Sequence, residues 1–319
     1  MAQNLTTPGR AMFGPPLVQP PVRRQPVRKR RIRGSHVTAI VFLLPALLIF
    51  LVFVVWPITQ SANYSLLNWD GVKPATFAGL DNYSKLLNDP IFWRSIGNNV
   101  LVVIWSLVTQ IPLAIGLAIL LTGTLKGSAF FRTIYFAPLV LSDVLVASVW
   151  NWIYNAPIGM LNSFLRSVHL PTLGWLGDPN LSMLCILIVS TWRYLGFYIV
   201  IYIAAIQGIS EELYEAARID GANGWQLQRF ITLPLLLPTT RVNAALIMIG
   251  SLKFFDLVWV MSQGGPSHSS EVLATYMFKE AFQIRDWGYA SAIAFALFLL
   301  AFLFAVLFLF FTRRQAKVT

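Results

Sequence analysis

The sequence predicts an all-α, polytopic membrane protein with about six transmembrane helices and a cytoplasmic elbow, and three observations carry that prediction. Of 319 residues, 56% are apolar and only 12% are charged, about half the charge of an average soluble domain. Six apolar stretches reach the roughly 20 residues that a helix needs to cross about 30 Å of hydrocarbon. The loops between them divide the basic residues very unequally between two sides.

Residues 1–36 hold eight of the 24 Lys and Arg and no acid, since the first acidic residue is Asp70. Rich in Pro and Arg and without periodicity, this segment reads as a disordered basic arm on the cytoplasmic side, not as a nucleic-acid-binding region. The spans follow at about 37–60, 96–122, 134–154, 181–207, 241–262 and 287–311, with kinks expected at Pro45, Pro57, Pro112 and Pro138. Segment 61–95 is polar and turn-rich, consistent with a small external cap. Six crossings put both termini on one side, which carries 16 Lys and Arg against six opposite. That bias makes the arm, the loops 123–133 and 208–241 and the tail 312–319 cytoplasmic, in a multi-pass protein of the cell membrane surrounded by lipid. Residues 37–311 then form one transmembrane domain. A single cysteine, Cys185, excludes a disulfide framework, and three scattered histidines offer no metal-ligand spacing. No cofactor, metal or catalytic residue is expected.

The loop between spans four and five is the most informative segment. Ser210 is a good N-cap, with Glu211 and Glu212 on the first turn of a helix over 211–220. Gly221 suits the left-handed position after its end. Asn223 and Gln226 have capping-box spacing for a second short helix, and Pro234 and Pro238 lead into span five. The result is a helix–turn–helix elbow at the membrane surface, where Ala216 and Ala217 leave room for close approach and Glu215 and Asp220 offer charge.

The stretch EAARIDGANGWQLQRFITLP (215–234) resembles the EAA loop of ABC-importer permeases. Glu215, Ala216, Ala217, Asp220, Gly221, Ala222, Phe230, Leu233 and Pro234 match in register. FAGLDNYSKLLNDPIFW (77–93), residues 138–162, FFDLVWVMSQGGP (254–266) and YASAIAFALFLLAFLF (289–304) are similar to the carbohydrate-uptake branch, the last to the maltose-permease F-type subunit. The resemblance implies a transport subunit whose elbow, through Glu215, Ala216, Ala217, Asp220 and Gly221, couples to a cytoplasmic ABC ATPase dimer. It also implies a second, G-type permease, an external substrate-binding protein and a sugar or related polyol as cargo. The chain itself has no GxxxxGK[ST], so ATP hydrolysis belongs to the partner.

Gapless counting from Glu215 places the maltose permease's sugar-contacting positions on Trp192 and Phe197 before the elbow, and on Ile247, Gly250, Ser251 and Phe254 after it. Trp192, Phe197, Gly250, Ser251 and Phe254 are accordingly the expected substrate pathway. Ser251 and Phe254 replace amides there, which argues against maltose itself. A glycerol-phosphate or phosphodiester importer is the alternative, kept open by Arg193, and a membrane-embedded transferase is a more distant one. Lys253 and Asp256, three residues apart, are expected to pair on one helix face. The stripe Tyr194, Tyr198 and Tyr202 is expected to pack helix on helix. Asp143 departs from the family's uncharged residue, and its role is open.

Overall fold

The computed structural model describes residues 35–123 and 128–315. Almost all of the basic arm and half of the tail lie outside the described residues. Two units are distinguished, one ending at Phe53 and the other starting at Val54. The first contains α1 (Ser35–Phe50), apolar after Thr38 and exposed from Ile40 onward. A π turn, Leu51–Val55, leads into α2 (Trp56–Tyr64). Pro57 sits where the π turn passes into α2.

The second unit begins its chain order with α2 and a short antiparallel pair, β1 (Leu67–Asn68) and β2 (Thr76–Phe77), with Leu67 opposite Phe77. Helix α3 (Asp81–Leu87) precedes α4 (Pro90–Thr122). Asp89 caps α4 by accepting from the Ile91 N–H at 2.8 Å, and Pro90 opens it. That cap explains why α4 starts earlier than the apolar run alone predicts. Helices α5 (Ser128–Val140), α6 (Asp143–Ile153) and α7 (Met160–Ser167) follow, then α8 (Ser182–Gln207). The elbow comprises α9 (Glu211–Ile219), α10 (Gly224–Leu227), a π turn Gln228–Thr232 and α11 (Leu233–Leu235). The chain closes with α12 (Leu237–Leu252), α13 (Asp256–Met261), α14 (Leu273–Phe278), a π turn Lys279–Ile284 and α15 (Trp287–Gln315).

Among the described residues, four helices are long and apolar enough to cross a membrane, and six spans result if each of two bent pairs counts as one. The bent pairs revise the expected third and fifth spans. The third turns by 107° between Thr133–Val140 and Asp143–Ile153. Ser142 causes the restart, its hydroxyl accepting from the Leu145 N–H. The fifth ends at Leu252 instead of running to 262, and α13 begins anew at Asp256.

The core lies where α4, α8 and α12 meet. Ala114 and Ala118 let α4 approach Tyr198, Ile199 and Tyr202 of α8, as small residues do between membrane helices. Gly196 serves α5 in the same way, since a Cβ there would overlap the Tyr135 carbonyl. The buried Tyr202 hydroxyl donates to Thr240 Oγ1 at 3.1 Å, tying α8 to α12.

Candidate functional site

Two regions stand out, the elbow and a cavity in the core. In the elbow, Ser210 takes the extended N-cap conformation, although its side chain makes no capping bond. Gly221 has φ +86°, the left-handed value expected of it. The capping box is formed: Gln226 N–H donates to Asn223 Oδ1 at 2.9 Å, and Asn223 N–H donates to Gln226 Oε1 at 2.8 Å. Tyr214 and Thr232 share a hydroxyl hydrogen bond of 2.9 Å that fastens α9 to the π turn. Glu215, Ala216, Asp220 and Gly221 are exposed and Ala217 is half-buried. A hollow of about 250 Å³ is lined by Ala217, Asp220, Gly221, Ala222 and Phe230 among others.

Phe230, 70% exposed, lines that hollow, and Trp225 and Ile219 of the same elbow are also open, at 73% and 86%. Large apolar side chains exposed on one face mark a contact surface. Phe230 belonged to the sequence pattern. Trp225 and Ile219 did not, because an apolar residue within an amphipathic loop reads as core until its exposure is known.

The cavity, about 280 Å³, opens between α4, α8 and α12. Phe197, Gly250, Ser251 and Phe254 of the expected pathway line it, with Ile247. Trp192 does not; its ring packs edge-on against Trp150 at 5.6 Å. Tyr194 and Tyr198 also line the cavity, so the stripe on α8 divides: two rings face the opening and Tyr202 packs inside. The α4 wall, with Ser106 and Gln110, was not legible in the sequence.

The charged residues within the spans are corrected by the structure. Lys253 and Asp256 are both exposed, and among the described residues no ion pair joins them. The reason is the chain break at the end of α12, since residues three apart face one another only on a continuous helix. Asp143 instead pairs with Arg193. Arg193 Nε donates to Asp143 Oδ1 at 2.9 Å, and Arg193 also donates to the Leu141 carbonyl at 2.5 Å. Tyr194 donates its hydroxyl to the other Asp143 oxygen at 2.9 Å. One guanidinium thus holds both sides of the bend in the third span.

At the end opposite the elbow, Asp89 also accepts from Tyr276 and from Tyr289, the latter at 2.6 Å. Burial pulls its pKa upward, but these hydroxyls and backbone N–H groups outweigh it and hold the carboxyl below its usual range. The buried Glu271 accepts from Lys279 and Thr275 and bonds His268. Among the described residues no group of His, Cys, Asp and Glu is arranged to hold a metal ion.

Residues 24–317 match the family described as binding-protein-dependent transport system inner membrane component. A probable ABC transporter permease protein of Pyrococcus horikoshii is 39% identical over 278 residues, 86% of this chain and 95% of that protein. The diacetylchitobiose uptake system permease protein NgcF of Streptomyces coelicolor is 33% identical over 275 residues, 82% of this chain and 78% of that protein. Among solved structures, a chain of a bacterial alginate ABC transporter, in complex with an alginate pentasaccharide-bound periplasmic protein, superposes with a TM-score of 0.78. It is 24% identical, and the match covers 90% of this chain and 97% of that one.

Proposed function

Because the chain belongs to the family of binding-protein-dependent transport system inner membrane components, we propose that it forms half of the translocation pathway of a sugar importer driven by a separate ATPase. The protein is a multi-pass membrane transport subunit. The observation that carries the finer reading is the elbow: an exposed helix pair whose small and charged residues line a hollow together with Phe230, with Trp225 exposed on the same elbow. Such a surface suits a groove on a protein partner, and the EAA pattern names that partner as an ABC ATPase dimer. The elbow joins α8 directly to α12, the two helices that carry most of the cavity wall. A shift of the elbow therefore reaches the cavity along α8 and, across the 61° bend that precedes it, along α12.

The cavity is slightly smaller than the 300–1,000 Å³ common for ligand sites, as befits one wall of a pathway completed by a second, G-type permease. Sugar as cargo is supported by the diacetylchitobiose uptake permease among the relatives and by aromatic faces beside polar groups in the cavity. An external binding protein would deliver it. The excess of basic residues in the arm and tail supports a cytoplasmic location for both termini.

The test is co-purification from membranes. A tagged chain is expected to retain an ABC ATPase and a second permease, and Glu215→Lys to retain the permease but lose most of the ATPase. A chain that purifies alone, or Glu215→Lys with full ATPase recovery, would refute the proposal.

A further inference from the structure

The cavity is lined by polar side chains that have no protein partner and are open to whatever fills it. Ser106, Gln110, Tyr198 and Ser251 are all buried, with Gln110 only 2% exposed. Yet among the described residues their side chains make no hydrogen bond, whereas the neighbouring Ser190 hydroxyl is satisfied by the Leu187 carbonyl at 2.9 Å. None of the four has its polar atoms sealed against protein, and all four line one opening. Buried polar groups are nearly always paired. Four that lack a protein partner and converge on one open space are available to a ligand.

Their chemistry specifies that ligand. No charged side chain lines the cavity. The nearest cation in sequence, Arg193, is held by Asp143 and the Leu141 carbonyl through Nε and Nη2; its Nη1 has no partner, but Arg193 is not among the residues that line the cavity. An anion entering would lose its hydration and meet no opposing charge. The Gln110 amide, by contrast, offers an acceptor and two donors, which fits adjacent hydroxyls that each donate and accept. Phe197 and Phe254 supply faces for the C–H surface of a ring.

Resting on the importer reading above, we propose that this cavity takes an uncharged, polyhydroxylated ring, and that Gln110 with Ser106 supplies specificity-determining hydrogen bonds from α4. This adds a third wall to the pathway carried by α8 and α12, and sets aside a phosphorylated cargo.

The experiment measures direct binding of millimolar sugars to the complete transporter in nanodiscs by saturation-transfer NMR. The neutral probes are diacetylchitobiose, lactose and maltose, and the anionic ones are digalacturonate and glucose 6-phosphate. At least one neutral probe is expected to bind and neither anion to do so. Gln110→Leu should weaken the neutral probe about tenfold, the effect of one or two lost hydrogen bonds. Because it replaces an amide that has no protein partner, it should leave the melting temperature unchanged or raise it. Wild-type affinity in Gln110→Leu, anion binding as tight as sugar binding, or no binding by any probe would each overturn the proposal. Those failures, in a complex that still carries its ATPase, leave the importer reading intact; loss of the ATPase from the wild-type complex refutes that reading instead.

Discussion

Replacing Asp143 by Asn leaves Arg193 as an unpaired cation inside the membrane, and the structure sets the size of the consequence. The pair is separated by 2.9 Å, with the Arg193 side chain 8% and the Asp143 side chain 25% exposed. Opposite charges about 3 Å apart attract by roughly 5–6 kcal/mol at an effective dielectric near 20. Solvent reaching Asp143 screens part of this, and desolvation of both groups opposes it. A net coupling of about 2–3 kcal/mol remains. Asp143→Asn should therefore cost about 3 kcal/mol, close to the lower limit for breaking a buried pair. Arg193→Met should cost less, about 1–2 kcal/mol, because the carboxylate it leaves behind keeps the Tyr194 hydroxyl, the α6 N-terminus and some water. The double variant should cost no more than Arg193→Met alone. Reversible unfolding in mixed detergent micelles gives the four stabilities of the cycle. Additivity within about 0.5 kcal/mol would show that the pair does not hold the bend and that the reasoning is wrong.

At Gly221 a Cβ would meet no atom within 4 Å, so substitution there costs only backbone strain at φ +86°. Gly221→Ala should cost about 1–2 kcal/mol locally and slow uptake, and the β-branched Gly221→Val should abolish uptake while insertion stays normal, as read by transport and membrane yield. Single cysteines at Leu80 and Leu170 should react with an impermeant maleimide in intact cells and one at Trp225 should not, since the native Cys185 is buried and silent; labelling at 225 from outside would invert the topology. Burial, only partly offset by Lys85, raises the pKa of Glu280 above its ordinary 4.5. A raised folded pKa means that this carboxyl favours folding below its unfolded value and opposes it as pH climbs through the folded one. Glu280→Gln should thus match the wild-type melting temperature near pH 4 and exceed it at about pH 7–8; equal temperatures throughout would exclude a destabilising charge.

What the sequence made legible depended on the range of the cause. Gly221, the Asn223–Gln226 box and the helix after Ser210 are set by residues a turn apart, so composition and spacing revealed them, whereas the early start of α4 at Pro90 became visible only with the Asp89 cap. The EAA pattern is likewise local, and it located the elbow. Asp143 and Arg193 are 50 residues apart, and no periodicity within one span brings them together. The Lys253–Asp256 pairing failed for the converse reason: sequence proximity was taken for helical proximity across a break that the apolar pattern does not register. Gln110 was hidden more deeply still. Within an apolar 33-residue helix a single amide reads as tolerated polarity, and only its lack of a partner beside an opening gives it a role.

The two broken spans and the intact pair α4 and α8 divide the labour of the molecule under the importer reading. A site that must bind and release needs walls that keep their side chains in register while moving as bodies. Helices α4 and α8 are continuous over 33 and 26 residues, so Gln110, Tyr194 and Tyr198 keep fixed spacing. Helix α12 is set off from the elbow by a 61° bend, a π turn and Pro234 and Pro238, features that lack regular hydrogen bonds and so yield first. From its start to Ile247 it is about 15 Å long, and a tilt of about 10° at that hinge moves Ile247 by roughly 2–3 Å, enough to open or close a cavity this small. The same tilt leaves Gln110 in place, because it belongs to a different rod. Affinity for the ring is thereby lost by withdrawing Ser251 and Phe254 from a standing α4 wall, and no residue of the cavity needs to change its own rotamer.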